Sequence, residues 1–246
     1  MIYKILKLPK KRQLAMSQFL KIIRKQIKKN NKKFNGNLSL THNYVTKEKI
    51  NKIRIASFNS INKHKWQKII KKLVFDEIKK ILGPDLLIQT KLNLSIQMPG
   101  DSTSLLPAHS DTWSSDSPFQ LNLWIPLTNT YSTNSMFMFS EKESLNLFKK
   151  ISLDKKIVKI RKPKKKDFIN LKFGQLLIFN PGIVHGNVVN QTKHTRVSLN
   201  VRVKSIFSPQ PDDQNNDRKF GTYYDLFNIS NNTEFALNIL KSGVLN

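Results

Sequence analysis

The segment LPAHSDTW sets an imidazole and a carboxylate two positions apart, at His109 and Asp111. In an extended chain, residues i and i+2 face the same way about 6–7 Å apart, so the two groups converge on one point. Far downstream, NPGIVHGN places His185 at a strand–turn edge between glycines. Two histidines and one carboxylate that leave the other positions of a metal open are the donor set of non-haem iron(II) oxygenases. A His-x-Asp tripeptide alone is common by chance. What gives it weight is Arg196-Val197-Ser198, eleven residues after His185. At strand periodicity Arg196, Ser198, Asn200 and Arg202 share one face, and Val197, Leu199, Val201 and Val203 fill the other. A guanidinium beside a hydroxyl, turned into a barrel, suits a carboxylate held by a bidentate charge-assisted pair. Left unpaired there, Arg196 would be costly to bury.

These groups need a strand framework to bring them together, and the sequence offers one after residue 85. Ile88, Thr90, Leu92, Leu94, Ile96 and Met98 alternate with polar residues, which predicts a strand closed by Pro99-Gly100. Further strands are predicted at 119–127, 135–139, 175–179, 184–190 and 195–204, separated by Gly, Pro, Asn and Ser turns. Many short strands without alternating helices point to an antiparallel sandwich or barrel with helices at its flank. Residues 1–85 read as helical. Leu14, Phe19, Ile22, Ile23 and Ile27 form one stripe, and Trp66, Ile69, Ile70, Leu73, Val74, Ile78 and Ile81 a clearer one, ended by Gly83-Pro84. A short helix is predicted over 141–150. The expected organisation is a basic helical part (1–85) packed on a β core (86–207), with a C-terminal extension (208–246), together one structural domain.

The chain has 246 residues, no cysteine and a formal charge of +27. The absence of cysteine excludes disulfides, thiolate zinc, iron–sulfur clusters and a cysteine nucleophile. Any metal must be held by His and carboxylate. Residues 1–80 hold 23 Lys and Arg against three acids, so about +20 of the charge lies there. A second basic run, Lys155–Lys166, has eight basic residues in twelve and reads as a solvated loop. Lys, Asn and Ile are abundant together, a pattern of A/T-rich codons, so the charge by itself does not define a nucleic-acid partner. No apolar run is long enough to span a bilayer and the N-terminus lacks a signal-peptide hydrophobic region, so a cytoplasmic protein is expected. There is no Gly-rich phosphate loop, Gly-x-Ser-x-Gly elbow or dinucleotide fingerprint.

The order His109-Ser110-Asp111, His185, Arg196 with Ser198 resembles the pattern of iron(II)- and 2-oxoglutarate-dependent dioxygenases. LNLWIPLTNTYSTNSMFMF resembles phytanoyl-CoA-hydroxylase-like members. LPAHSDTWSSDSPFQLNLWIPL and HGNVVNQTKHTRVSLNVRVKSIFSP look more like the 2-oxoglutarate oxygenases of scattered bacterial surface-carbohydrate gene clusters. The resemblance covers about residues 85–210. It implies a double-stranded β-helix, a cupin-like jelly-roll, with His109, Asp111 and His185 as iron ligands. It implies Arg196 and Ser198 as partners of the distal carboxylate of 2-oxoglutarate, and gives Asn187 and Trp124 a weaker place beside that cosubstrate. Fe(II), 2-oxoglutarate and O2 would be the cofactors. The implied reaction is oxidative decarboxylation of 2-oxoglutarate to succinate and CO2, coupled to hydroxylation of a sugar or sugar-linked intermediate of surface polysaccharide or lipopolysaccharide assembly, with a phosphorylated or lipid-linked substrate and peripheral membrane contact compatible with the charge.

Other residues have simpler readings. His42, His64 and His194 are expected at the surface, Asp101 and Asp116 as turn caps, Trp113 as rim packing and Met136–Phe139 as a core strand. Lys91, Asn93 and Gln97 lie on the polar face of their strand, where some would line the pocket. The competing functional classes are an oxidative demethylase acting on nucleic acid and a cupin-like or nucleic-acid-binding module without chemistry. The intact triad and Arg196 argue against the latter, and the dispersed lysines against the former.

Overall fold

The computed structural model describes residues 3–153, 158–209 and 218–242. In chain order its elements are β1 (Tyr3–Lys7), α1 (Lys10–Gln13), α2 (Ser17–Asn30), α3 (Lys47–Asn62), α4 (Trp66–Leu82), β2 (Leu86–Gln89), β3 (Asn93–Gln97), β4 (Leu121–Pro126), β5 (Phe137–Met138), α5 (Glu141–Leu153), β6 (Gln175–Phe179), β7 (His185–Gly186), β8 (Arg196–Ser205), β9 (Tyr224–Asn228) and α6 (Asn231–Lys241). No helix among the described residues is long and apolar enough to cross a membrane.

The helical stripes do what their spacing predicts. Phe19, Ile23 and Ile27 of α2 are fully buried, as are Ile70, Leu73, Val74 and Ile78 of α4. Each such side chain contributes about 1.5–3 kcal/mol by leaving water. Leu14, expected on the first stripe, instead sits in a 3-10 turn before α2 and is 71% exposed. Gly83 ends α4 at φ 82, a conformation open to glycine, and Pro84 blocks its continuation.

The main sheet is antiparallel, in the order β1-β6-β4-β8. The far edge of the long strand β8 is divided between β3, paired with 196–200, and β2, paired with 203–205. Strand β9 lies outside β2. A smaller layer, β5 with β7, is extended by single bridges at Phe168 and His109. The two layers make the double-stranded β-helix expected from the sequence. Strand alternation decides what each face meets. Val197, Leu199, Val201 and Val203 of β8, with Leu123 and Ile125 of β4, join one continuous apolar core with α2, α3 and α4. The opposite faces carry Trp124, Leu177 and Phe179, which pack with Met136, Met138 and Ile183 of the smaller layer.

The structure corrects several sequence expectations. The strand predicted over 88–98 is broken at 90–92, where the Asn62 side chain takes over both backbone groups of Leu92: Leu92 N–H donates to Asn62 Oδ1 at 2.8 Å, and Asn62 Nδ2 donates to the Leu92 carbonyl at 3.1 Å. Strands β1 and β9 were not predicted; both flank the sheet with half-exposed residues. The ladders within 135–139 and 184–190 are two residues long. Of the Lys155–Lys166 run, residues 155–157 lie outside the described residues. In the rest, Arg161 pairs with Glu143 and Asp167 at 2.7 and 2.6 Å, while the lysines are exposed.

Candidate metal centre

His109 and His185 are brought together by the backbone. His109 N–H donates to the His185 carbonyl at 2.9 Å and His185 N–H to the His109 carbonyl at 2.8 Å, so their rings lie 4.4 Å apart by centroid. Gly186 permits this pairing. A Cβ there would stand 2.7–2.8 Å from the carbonyl oxygens of Leu106 and Pro107 and the Phe137 ring, so only glycine allows the ligand-bearing loop to lie this close. Asp111 opens a 3-10 turn directly after His109, with its N–H on the Pro181 carbonyl at 3.1 Å. One donor atom each from His109, Asp111 and His185 lie within 4.8 Å of one another.

The imidazoles are oriented by their own chains. Nδ1 of His109 meets the Pro107 carbonyl at 2.8 Å, and Nδ1 of His185 the Ile183 carbonyl at 2.9 Å. A carbonyl only accepts, so both Nδ1 atoms carry protons; Nε2 of His185 is then free to ligate, and Nε2 of His109, 3.4 Å from Asp111 Oδ1, becomes free once it gives up the proton it shares with that carboxylate. Burial pushes His185 down to about 4, which keeps it neutral. Burial also lowers His109, but the hydrogen bonds from its ring to Asp111 and the Pro107 carbonyl outweigh it and the net shift is upward. Burial raises Asp111, yet the His109 hydrogen bond and the charge of Arg202 hold it well below the usual carboxylate range. A neutral His185, a His109 that becomes neutral on giving its Nε2 proton up to solvent as metal binds, and one ionised oxygen fit a divalent transition-metal ion.

The cavity beside these donors has a volume of about 360 Å³ and is lined by Trp124, Met136, Phe179, Arg196, Ser198 and Asn200 among others. Arg196 is 3% exposed. Among the described residues its guanidinium makes one hydrogen bond, from an Nη to Ser95 Oγ at 2.9 Å, and its Nε is buried without a partner. No carboxylate among the described residues pairs with it. Burial, helped by the charge of Arg54, pulls it down to about 10, the mark of a buried cation without compensation.

The remaining predicted residues fall as follows. Trp124 and Asn93 line the cavity; Lys91 is exposed, and Gln97, the register partner of Arg196 on β3, is buried and donates to the Val188 carbonyl at 2.6 Å. Asn187 borders the cavity, but its Oδ1 accepts from Leu106 N–H at 2.7 Å and its Nδ2 donates to the Ser104 carbonyl at 3.1 Å, so the amide braces the ligand loop. Asp101 caps a turn through Thr103 and also pairs with Arg54. Asp116 is no turn cap: it is fully buried, 2.8 Å from Arg202 Nε and 3.2 Å from Arg218. His42 is not a free surface residue, since Nδ1 meets Thr195 Oγ1 at 2.9 Å. His64 is exposed, and His194 meets the Tyr131 hydroxyl at 2.7 Å. Trp113 packs on Phe148 of α5 at the rim. Sequence reasoning gave no role to Asn122 and Arg202, which hold Asp111 Oδ2 at 2.5 and 3.1 Å.

No family model matches the chain. It is 27% identical over 116 residues to the streptomycin biosynthesis protein StrG of Streptomyces griseus; the match covers 47% of this chain and 43% of that protein, less than half its length. Among solved structures, the non-heme monooxygenase ThoJ in its apo form aligns with a TM-score of 0.52 at 16% identity, over 98% of this chain and 91% of that one. The ThoJ–nickel complex gives 0.50 at 16% identity, over 98% and 92%. Apo HygX from Streptomyces hygroscopicus gives 0.50 at 11% identity, over 92% and 93%. At these identities the likeness is one of fold, and it extends through the N-terminal helices as well as the barrel.

Proposed function

We propose that this chain is an Fe(II)- and 2-oxoglutarate-dependent oxygenase. The observation that carries the reading is Arg196: a buried guanidinium with an orphaned Nε, facing the same cavity as a preorganised His-Asp-His donor set. A buried cation without a carboxylate of its own calls for an acidic ligand. The fold neighbour described as a non-heme monooxygenase, which also exists as a nickel complex, agrees with that chemistry.

Bound Fe(II) with 2-oxoglutarate would supply the O2 activation that couples decarboxylation to oxidation of a second substrate. The chain's own contribution is positional. His109 and His185 present Nε2, and Asp111 presents Oδ1. Arg196 and Ser198 bind the distal carboxylate of the oxoacid. Asn187 fixes the loop before His109, and Trp124, Met136 and Phe179 form an apolar wall that limits water. For the second substrate, the relative in streptomycin biosynthesis and the resemblance to surface-carbohydrate oxygenases support a sugar or sugar-linked intermediate, hydroxylated in polysaccharide or lipopolysaccharide assembly.

The test is anaerobic reconstitution with Fe(II) and 2-oxoglutarate. A visible metal-to-ligand charge-transfer band, followed by O2-dependent succinate release that His109→Ala and Asp111→Ala abolish, is the expected result. No band and no His109-dependent succinate would refute it.

A further inference from the structure

We propose that Asn122 and Arg202 form a clamp that keeps Asp111 a one-oxygen metal ligand, and so hold open a coordination position that the cosubstrates need. The proposal rests on the oxygenase reading above. Carboxylates bind metals through one oxygen or through both. Three protein atoms on a six-coordinate ion leave three positions, enough for a chelating oxoacid and O2; a chelating Asp111 would leave only two.

The geometry separates the two oxygens of Asp111. Oδ1 faces His109 Nε2 at 3.4 Å, on the side of the other donors. Oδ2 accepts from Asn122 Nδ2 at 2.5 Å and lies 3.1 Å from an Nη of Arg202. Both clamp residues are themselves fixed. Tyr224 Oη donates to Gln120 Oε1 at 2.7 Å, and Gln120 Nε2 donates to Asn122 Oδ1 at 3.3 Å, which turns the Asn122 amide nitrogen toward Asp111. Arg202 spans two carboxylates, with its Nε 2.8 Å from Asp116 Oδ2, and its other Nη donates to the Tyr223 hydroxyl at 3.2 Å. Asp116 therefore offsets the positive charge that Arg202 brings to the site. Asn122 and Arg202 are register partners on β4 and β8, so a single row across the sheet supplies the clamp.

The test uses the full chain loaded with Mn(II), with four variants: Asn122→Ala, the charge-balanced Asp116→Asn/Arg202→Met, these two combined, and the conservative Arg202→Lys. The exchangeable waters on Mn(II) are counted by electron paramagnetic resonance line broadening in water enriched in the magnetic oxygen isotope, and 2-oxoglutarate affinity is measured by calorimetry. The expected result is three waters in the wild type and two in the combined variant. With 2-oxoglutarate bound, which takes two positions, the wild type should keep one exchangeable water and the combined variant none, with Mn(II) still bound; Arg202→Lys should retain three waters without ligand and one with it. Loss of packing alone would not remove one water while sparing metal affinity. If the combined variant folds poorly by circular dichroism, either smaller variant carries the water count, with fewer than three waters expected. Three waters on the metal alone and one beside 2-oxoglutarate in every folded variant overturn the clamp alone. A wild type that takes up neither Mn(II) nor 2-oxoglutarate overturns the oxygenase reading and the clamp with it.

Discussion

Replacing Arg196 by Met should move stability and cosubstrate binding in opposite directions. Arg196 is 3% exposed, keeps one hydrogen bond to Ser95 and has a buried Nε without an acceptor. An orphaned buried donor costs about 1–3 kcal/mol, more when charged. Met fills a similar length without polar atoms, so the ligand-free variant should gain about 1–2 kcal/mol after the loss of the Ser95 bond, following the finding that apolar residues often replace buried ions without loss. At about 2–4 °C per kcal/mol for a chain of this size, its Tm should rise by about 2–8 °C. With metal on both proteins and 2-oxoglutarate at about 100 Kd of the wild type that advantage closes or inverts, because the wild type gains about 2.7 kcal/mol by linkage and the weaker-binding variant about 0.9 kcal/mol or less. Loss of a buried charge-assisted pair costs about 2–5 kcal/mol of binding, so 2-oxoglutarate should bind from about 30-fold to a few thousandfold more weakly. Differential scanning fluorimetry with and without ligand, and calorimetry on the Mn(II) protein, read both arms. A variant that melts below wild type without ligand and binds 2-oxoglutarate within about threefold would refute the reasoning.

Gly186→Ala should displace the loop at Leu106 and Pro107, because its Cβ would stand 2.7–2.8 Å from both carbonyl oxygens. A stability loss of about 1–3 kcal/mol and Ni(II) binding at least about tenfold weaker are expected by thermal melts and calorimetry; unchanged Ni(II) affinity contradicts the His109–His185 pairing. Metal binding should release one proton at pH values below the raised pKa of His109. Below that point His109 carries the proton that the metal must displace, whereas His185 at about 4 is neutral and Asp111 ionised at about pH 6; a slope of two in log K against pH there excludes this assignment. Asn62→Ala should lower stability by about 1–3 kcal/mol, since it strips both backbone groups of Leu92 of their partner. A denaturant midpoint equal to wild type would show that the break between β2 and β3 is held by something else.

What the sequence could show about this site follows from the range over which its signals act. Period-two alternation is local, so the inward row Arg196, Ser198, Asn200, Arg202 was legible on β8, and the structure turns that face to the cavity. The same alternation runs unbroken through 88–98, because the residue that interrupts the ladder, Asn62, sits on a helix thirty positions upstream. Strands β1 and β9 escaped for a related reason. Each flanks the sheet over only five residues, several of them exposed, so neither carries an apolar stretch long enough to stand out from its polar surroundings. The clamp on Asp111 depends on a contact 91 residues distant, and no local pattern pairs Asp111 with Arg202. Yet Asn122 carried a readable signal. It interrupts LNLWIP, where Leu121, Leu123, Trp124 and Ile125 are all buried, and a buried amide must find a partner. A lone polar residue inside an apolar strand is thus itself a pointer to a site, and here its partner is the carboxylate of the proposed metal ligand.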